Sequence, residues 1–154
     1  MMPDQEIAID TTICRNRAQL EEHIDVKDLA RFLHESLKPY EDPMGQIFDG
    51  LDYALSEEPG KGGFVLLAEL DNEPIGVVVM LNTGMKGYIP ENVLLFVAIR
   101  PDMRGKGLGG RIIKRALDEA QGDVKLHVEH DNPAKRLYER IGFTAKYTEM
   151  RYAK

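Results

Sequence analysis

The 154-residue sequence has one cysteine, no tryptophan and only 7% aromatic residues. A lone Cys14 excludes an internal disulfide and a cysteine-rich zinc site, so an apolar core has to hold the fold. No apolar run approaches the roughly 20 residues needed to cross a bilayer. The first residues, with Asp4 and Glu6, also lack the basic-then-apolar pattern of a signal peptide. The expectation is a cytoplasmic protein with no membrane partner. Positive charge is in the minority as well: 20 basic against 26 acidic side chains leave a formal net charge of −6, which argues against a nucleic-acid partner held by a global field.

The sequence does have the composition of a folded domain, with 43% hydrophobic and 30% charged residues. Its length suits one unit, residues 1–154, large enough to bury a core. Charge is unevenly spread: residues 1–90 carry 7 basic and 17 acidic side chains, residues 91–154 carry 13 and 9. A polyanionic ligand therefore suits the second part and a cation the first, although such asymmetry is more often plain solvated surface.

Asp25 is placed to cap a helix whose apolar positions Val26, Leu29, Ala30, Leu33 and Leu37 recur at helical spacing before Pro39. Asp42 as N-cap and Pro43 at the first helical position open a second helix through Leu55, ended by Pro59-Gly60. Phe64–Leu70 and Ile75–Leu81 read as an antiparallel hairpin around Asp71-Asn72-Glu73-Pro74. Val93–Ile99, almost unbrokenly apolar, reads as a central strand buried on both faces. An amphipathic helix follows, with Leu108, Ile112, Ile113, Ala116, Leu117 and Ala120 on one side and Gly122 as its stop. Val124–Glu129 reads as a strand, Pro133–Ile141 as a short helix capped by Asn132, and Phe143–Tyr152 as a last extended stretch.

The most informative segment is Arg104-Gly105-Lys106-Gly107-Leu108-Gly109-Gly110, which joins the apolar strand to the amphipathic helix. Glycines there let the backbone approach an anion and present N–H groups at a helix N-terminus, where the helix dipole favours negative charge. Arg104 and Lys106 add positive charge at the rim, which suits a pyrophosphate. A plain flexible turn explains the glycines too. A nucleotide P-loop would require a hydroxyl after Gly-Lys, and this turn has none. Gly105, Gly107 and Gly110 satisfy the dinucleotide fingerprint G-x-G-x-x-G, with Glu129 about 20 residues on. That reading ranks second, because Arg100–Arg104 separates strand from glycine and an antiparallel hairpin precedes it.

Arg104-Gly105-Lys106-Gly107-Leu108-Gly109 also matches the Arg/Gln-x-x-Gly-x-Gly/Ala signature of the GNAT superfamily of N-acetyltransferases, which the sequence resembles. A second block of that family, an Asn before a short helix with Tyr and then Gly-Phe, is present as Asn132, Tyr138 and Gly142-Phe143. The resemblance is specific over about residues 64–154 and only architectural over 1–63, a helical region on the substrate side. It implies an α/β (α+β) fold, a twisted, mixed, mostly antiparallel sheet with parallel central strands and flanking helices. It implies an acetyl-coenzyme A dependent N-acetyltransferase that transfers acetyl directly to a primary amine of a small molecule or peptide. Acetyl-coenzyme A would lie between the strands at Val93–Ile99 and Val124–Glu129. Its pantetheine arm would pair with the backbone of Val97, Ala98 and Ile99, and its pyrophosphate with the amides of Gly105, Lys106, Gly107, Leu108, Gly109 and Gly110.

The same likeness makes Tyr138 the general acid and gives Asn132 a hydrogen bond to the pantetheine arm. Both also have plainer readings, core packing for Tyr138 and helix capping for Asn132. The base is open between His127, Glu129 and water, since period two puts His127 and Glu129 on one strand face. His130 points the other way, so no metal site is expected. The acidic residues Asp49, Asp52, Glu57 and Glu58 hint weakly at a cationic acceptor, and the solvent face of a helix is the favoured reading for them. The alternatives in other classes are a non-catalytic acyl-coenzyme A sensor and a nicotinamide-dinucleotide-binding protein. The oligomeric state stays open, a homodimer included.

Overall fold

The structure, a computed structural model, describes residues 6–154; Asp4, used above against a signal peptide, lies outside them. The order is β1 (Asp10–Cys14), α1 (Arg17–Glu21), α2 (Val26–Ser36), α3 (Met44–Ala54), β2 (Gly63–Leu70), β3 (Glu73–Asn82) and β4 (Asn92–Ile99). A 3-10 turn at Pro101–Met103 leads to α4 (Leu108–Glu119), β5 (Val124–Leu126) and α5 (Ala134–Ile141).

Local chemistry sets most boundaries. The Asp25 carboxylate accepts the Lys27 N–H at 2.8 Å and starts α2. At α3 the expected cap shifts by one residue: the Pro43 carbonyl accepts the amides of Gln46 and Ile47, and Asp42 makes no capping bond. The hairpin turns on Asp71 and Asn72, both left-handed (φ 51° and 63°), a conformation these two residue types tolerate. Glu73 and Pro74 already belong to β3, with Leu70 facing Glu73. Helix α4 ends before Gly122, which serves the following turn at φ 94° instead of capping the helix.

The sheet order is β1-β2-β3-β4-β5, antiparallel except for β4–β5. The parallel pair therefore lies at one edge of the described sheet, not at its centre. Period-two alternation along β2 and β3 splits the core. Val65, Leu67, Val77 and Val79 pack with Leu29, Leu33, Ile47 and Leu51 of α2 and α3. Leu66, Val78 and Met80 face the other way, against Leu108, Ile112, Ile113 and Ala116 of α4.

β4 is not buried on both faces throughout; residues alternate between buried and half-buried. Its register slips at one residue: Val79 faces Phe96 and Met80 faces Leu94, leaving Leu95 as a bulge. Leu94 packs on the α4 side while Leu95 and Phe96 both turn toward α2 and α3. Gly50 of α3 makes room for that doubled contact, since a Cβ there would stand 2.5 Å from Leu95 Cδ2.

Two further expectations fail at the sheet edge. The strand expected at Val124–Glu129 stops at Leu126, and Phe143–Tyr152 forms no strand, with Tyr147, Met150 and Tyr152 exposed. An alternating sequence becomes a strand only where a neighbour offers a ladder of backbone partners, and β4 has already turned away from β5.

Candidate active site

β4 and β5 pair only at Asn92–Val124, Val93–Lys125 and Leu94–Leu126. Beyond them, at the Leu95 bulge, the strands diverge, as a bulge bends its strand and strengthens the local twist. The closed end is tied: Asn92, buried, donates its side-chain amide to the carbonyls of Gln121 (2.8 Å) and Asp123 (3.2 Å). The open end is a cleft of about 540 Å³.

One wall is β4 from Leu95 to Ile99; the other is formed by His127, Val128 and Glu129 with Leu137 and Tyr138 of α5. β4 pairs with β3 through this stretch, so its backbone groups aimed away from β3 have no strand to bond. At one end lies the N-terminus of α4. Gly105 and Gly107 are left-handed (φ 75° and 77°), no side chain caps the helix, and nothing lies within 4 Å of where a Cβ would stand on either glycine. Gly109 lies against α5, where a Cβ would come within 3.4 Å of Leu137 Cδ2, an ordinary contact distance.

Of the residues singled out from sequence, Val97, Ala98, Ile99, Arg104, Gly105, Gly107, Leu108, Gly109, Gly110, His127, Glu129, Asn132 and Tyr138 all line this cleft. Lys106 does not; it stands exposed beside the turn. Arg104 is not a free charge at the rim. Its guanidinium donates to the Ser36 carbonyl in the last turn of α2, tethering the glycine turn to that helix. His127 and Glu129 lie beyond the end of β5, so the shared strand face inferred for them does not exist, although both reach the cleft. Glu129 accepts from the Asn132 side chain at 3.1 Å, and Asn132 in turn accepts the Ala134 N–H at 2.9 Å. Asn132 therefore does bond at the start of α5, while Pro133 occupies the N-cap position.

Tyr138 is half-buried, with its ring edge-on to Phe143 at 5.9 Å between centroids. Burial, and after it the negative charge of Glu129, hold its hydroxyl above the ordinary phenol value. It stays protonated and able to donate at neutral pH.

Sequence reasoning missed a third wall. Leu37, Lys38, Pro39, Tyr40 and Asp42, from the α2–α3 connection, also line the cleft. The Tyr40 hydroxyl donates to the Asp131 carbonyl at 3.2 Å and joins this wall to the loop before α5. No periodicity marks such a segment; only its Pro39–Pro43 punctuation was visible. Asp49, Asp52 and Glu58, by contrast, line a separate hollow of about 280 Å³ that shares no residue with the cleft. Among the described residues no group of three or more His, Cys, Asp or Glu is arranged to hold a metal, and no helix is long and apolar enough to cross a membrane.

A sequence model of the acetyltransferase (GNAT) family matches residues 26–143, spanning both cleft-forming strands and the glycine turn. The chain belongs to the GNAT family. It is 41% identical over 63 residues to mycothiol acetyltransferase of Rhodococcus opacus (strain B4), a match covering 38% of this chain and 21% of that protein. The chain thus spans about a fifth of the length of the curated relatives it matches. Among solved structures, a GNAT family acetyltransferase from Streptococcus pneumoniae TIGR4 superposes with a TM-score of 0.68 at 15% identity, covering 96% of this chain and 98% of that one. Ribosomal-protein-alanine N-acetyltransferase from Brucella melitensis biovar Abortus 2308 gives 0.62 at 19%, covering 96% and 100%. At these identities the likeness establishes the GNAT fold, the mixed five-stranded sheet with helices on both faces.

Proposed function

We propose that this GNAT-family chain transfers an acetyl group from acetyl-coenzyme A to a primary amine, by direct attack with both substrates bound. The observation that carries this reading is the cleft itself, where unpaired β4 backbone, uncapped α4 amides and a protonated tyrosine converge. The fit to the donor is physical. Open, left-handed Gly105 and Gly107 leave the amides from Gly105 to Gly110 free for a pyrophosphate, and the outward backbone of Val97, Ala98 and Ile99 suits the amides of a pantetheine arm. Asn132 adds a side-chain contact to that arm. Acetyl-coenzyme A supplies a thioester activated toward a neutral amine.

The chain's own residues then have three tasks. A backbone N–H of Val97 or Ala98 donates toward the carbonyl oxygen as negative charge builds there, a preorganised interaction that requires no reorientation during the reaction. As the new C–N bond forms and the C–S bond breaks, the Tyr138 hydroxyl gives its proton to the departing sulfur. His127, with Glu129 as the alternative, takes the proton lost by the incoming ammonium, directly or through water. Thiol release from acetyl-coenzyme A, measured across polyamines, aminoglycosides, amino acids and peptide N-termini, tests the proposal. Amine-dependent release is expected. Tight coenzyme A binding with no release for any amine would replace catalysis by sensing.

A further inference from the structure

Position along β4 corresponds to position along the donor. The glycine turn follows the C-terminal end of the strand, so an acyl-coenzyme A with its pyrophosphate there runs back past Ile99, Ala98 and Val97. Its acyl group is then the part that reaches Phe96 and Leu95. The cleft closes directly beyond, because Leu94–Leu126 is the last paired position of β4 and β5, and a strand advances only about 3.3 Å per residue. Phe96, buried, and Leu95, half-buried, both line the cleft, and both pack into the α2–α3 side of the core. Their seat is Gly50 of α3. A Cβ there would stand 2.5 Å from Leu95 Cδ2 and 3.0 Å from Phe96 Cε2, closer than carbon atoms pack. Gly50 lies inside the helix with no positive φ to require a glycine, and glycine is unfavourable at such a position relative to alanine. The missing methyl group is the space that these two side chains use. Any side chain at residue 50 has to drive Leu95 off α3, and the open side of Leu95 is the cleft.

We propose that Leu95 and Phe96 form an end-stop for the acyl group, and that Gly50, by seating them back on α3, sets its depth, so that the site takes acetyl and rejects chains of four carbons or more. This rests on the acyl-transfer reading of the cleft and adds to it the class of acyl donor. Leu95 and Phe96 touch the acyl group; Gly50 is a positioning residue that acts through them. In a close-packed apolar pocket one methylene too many is worth about tenfold or more in affinity, so each added carbon is felt.

The test is calorimetry with coenzyme A and with acetyl-, propanoyl- and butanoyl-coenzyme A, each affinity divided by that for coenzyme A in the same variant. It reads the acyl pocket without an acceptor. Wild type should bind butanoyl-coenzyme A at least tenfold less tightly than acetyl-coenzyme A. Leu95→Ala should relieve that penalty about tenfold, whereas Gly50→Ala should extend it to propanoyl-coenzyme A. Combining the two should restore the Leu95→Ala pattern, because the added methyl group then has no Leu95 to push. A purely structural role would lower Tm or all four affinities together and could not move the ratios in opposite directions. Should Gly50→Ala fail to fold, Leu95→Ala alone decides the question. Equal wild-type binding of acetyl- and butanoyl-coenzyme A, or a penalty unaltered in Leu95→Ala, overturns the end-stop while leaving acyl transfer standing. Failure of wild type to bind any of the four overturns the acyl-transfer reading itself, and the end-stop with it.

Discussion

Replacing Gly107 by alanine separates an anion cradle from an ordinary turn. Gly107 adopts φ 77°, and no atom lies within 4 Å of the position a Cβ would take. The methyl group therefore meets no steric clash, and the cost is conformational, about 1–2 kcal/mol for an L-residue held left-handed. In a domain of this size each kcal/mol lowers Tm by about 2–4 °C, so a loss of roughly 2–8 °C is expected. Gly60 provides a matched control, with φ 84°, nothing within 4 Å and no place in the cleft. Gly60→Ala should lower Tm comparably. The two variants should part in binding: a methyl group over the α4 amides occupies the space an anion needs, so Gly107→Ala should weaken coenzyme A at least tenfold by calorimetry, while Gly60→Ala leaves it at the wild-type value. A Gly107→Ala protein that binds coenzyme A like wild type would refute the cradle.

Tyr138→Phe keeps the ring against Phe143 and removes only the proton donor, so kcat should fall about 10²-fold or more with coenzyme A affinity and Tm nearly unchanged; equal losses of all three would make Tyr138 a packing residue. Asn92→Ala strips the Gln121 carbonyl of its donor at the closed end of the cleft and leaves the Asp123 carbonyl only the backbone N–H of residue 92. A loss of about 2 kcal/mol is expected in urea unfolding, and a loss under 0.5 kcal/mol would contradict the tie. Cys14 is fully buried, and burial, aided by the charges of Glu22 and Glu69, pushes its thiol up to about 11 against 9.0 in the unfolded chain. The folded protein therefore holds this proton where the unfolded chain releases it. The resulting stability is intact below pH 9 and declines as pH rises toward 11, by roughly 2–3 kcal/mol. The stability difference between wild type and Cys14→Ala should shrink over that range, and a constant difference would contradict it.

The parts of this fold visible in the sequence are those specified within a few residues of themselves. Asp25 before Val26-Leu29-Leu33, Asp71-Asn72 between two valine-rich runs, and the spaced glycines at 105, 107 and 109 each carry a local physical instruction. The relations between segments are not written locally. Nothing in Val93–Ile99 announces that Leu95 slips out of register, yet that slip separates β4 from β5 and opens the cleft. Nothing in Val124–Glu129 says that its neighbour departs after Leu126. The Asp-Thr-Thr-Ile-Cys strand β1 is short and polar, and it becomes a strand only because β2 offers an edge. The candidate site divides in the same way. Residues within two compact motifs, Arg104–Gly110 and Asn132–Tyr138, were identifiable, whereas Tyr40 and Asp42 reach the cleft through a connection with no periodic signal. Arg104 also makes a contact that no local signal announces, because its partner, the Ser36 carbonyl, lies 68 residues away.

The most direct test of the central claim is an amide-resolved NMR titration of the protein with coenzyme A. The account predicts large, saturable shifts at the backbone N–H groups of Gly105, Gly107, Leu108, Gly109 and Gly110, with a second set at Val97, Ala98 and Ile99. Saturation of binding while the resonances of the glycine turn stay in place would contradict it.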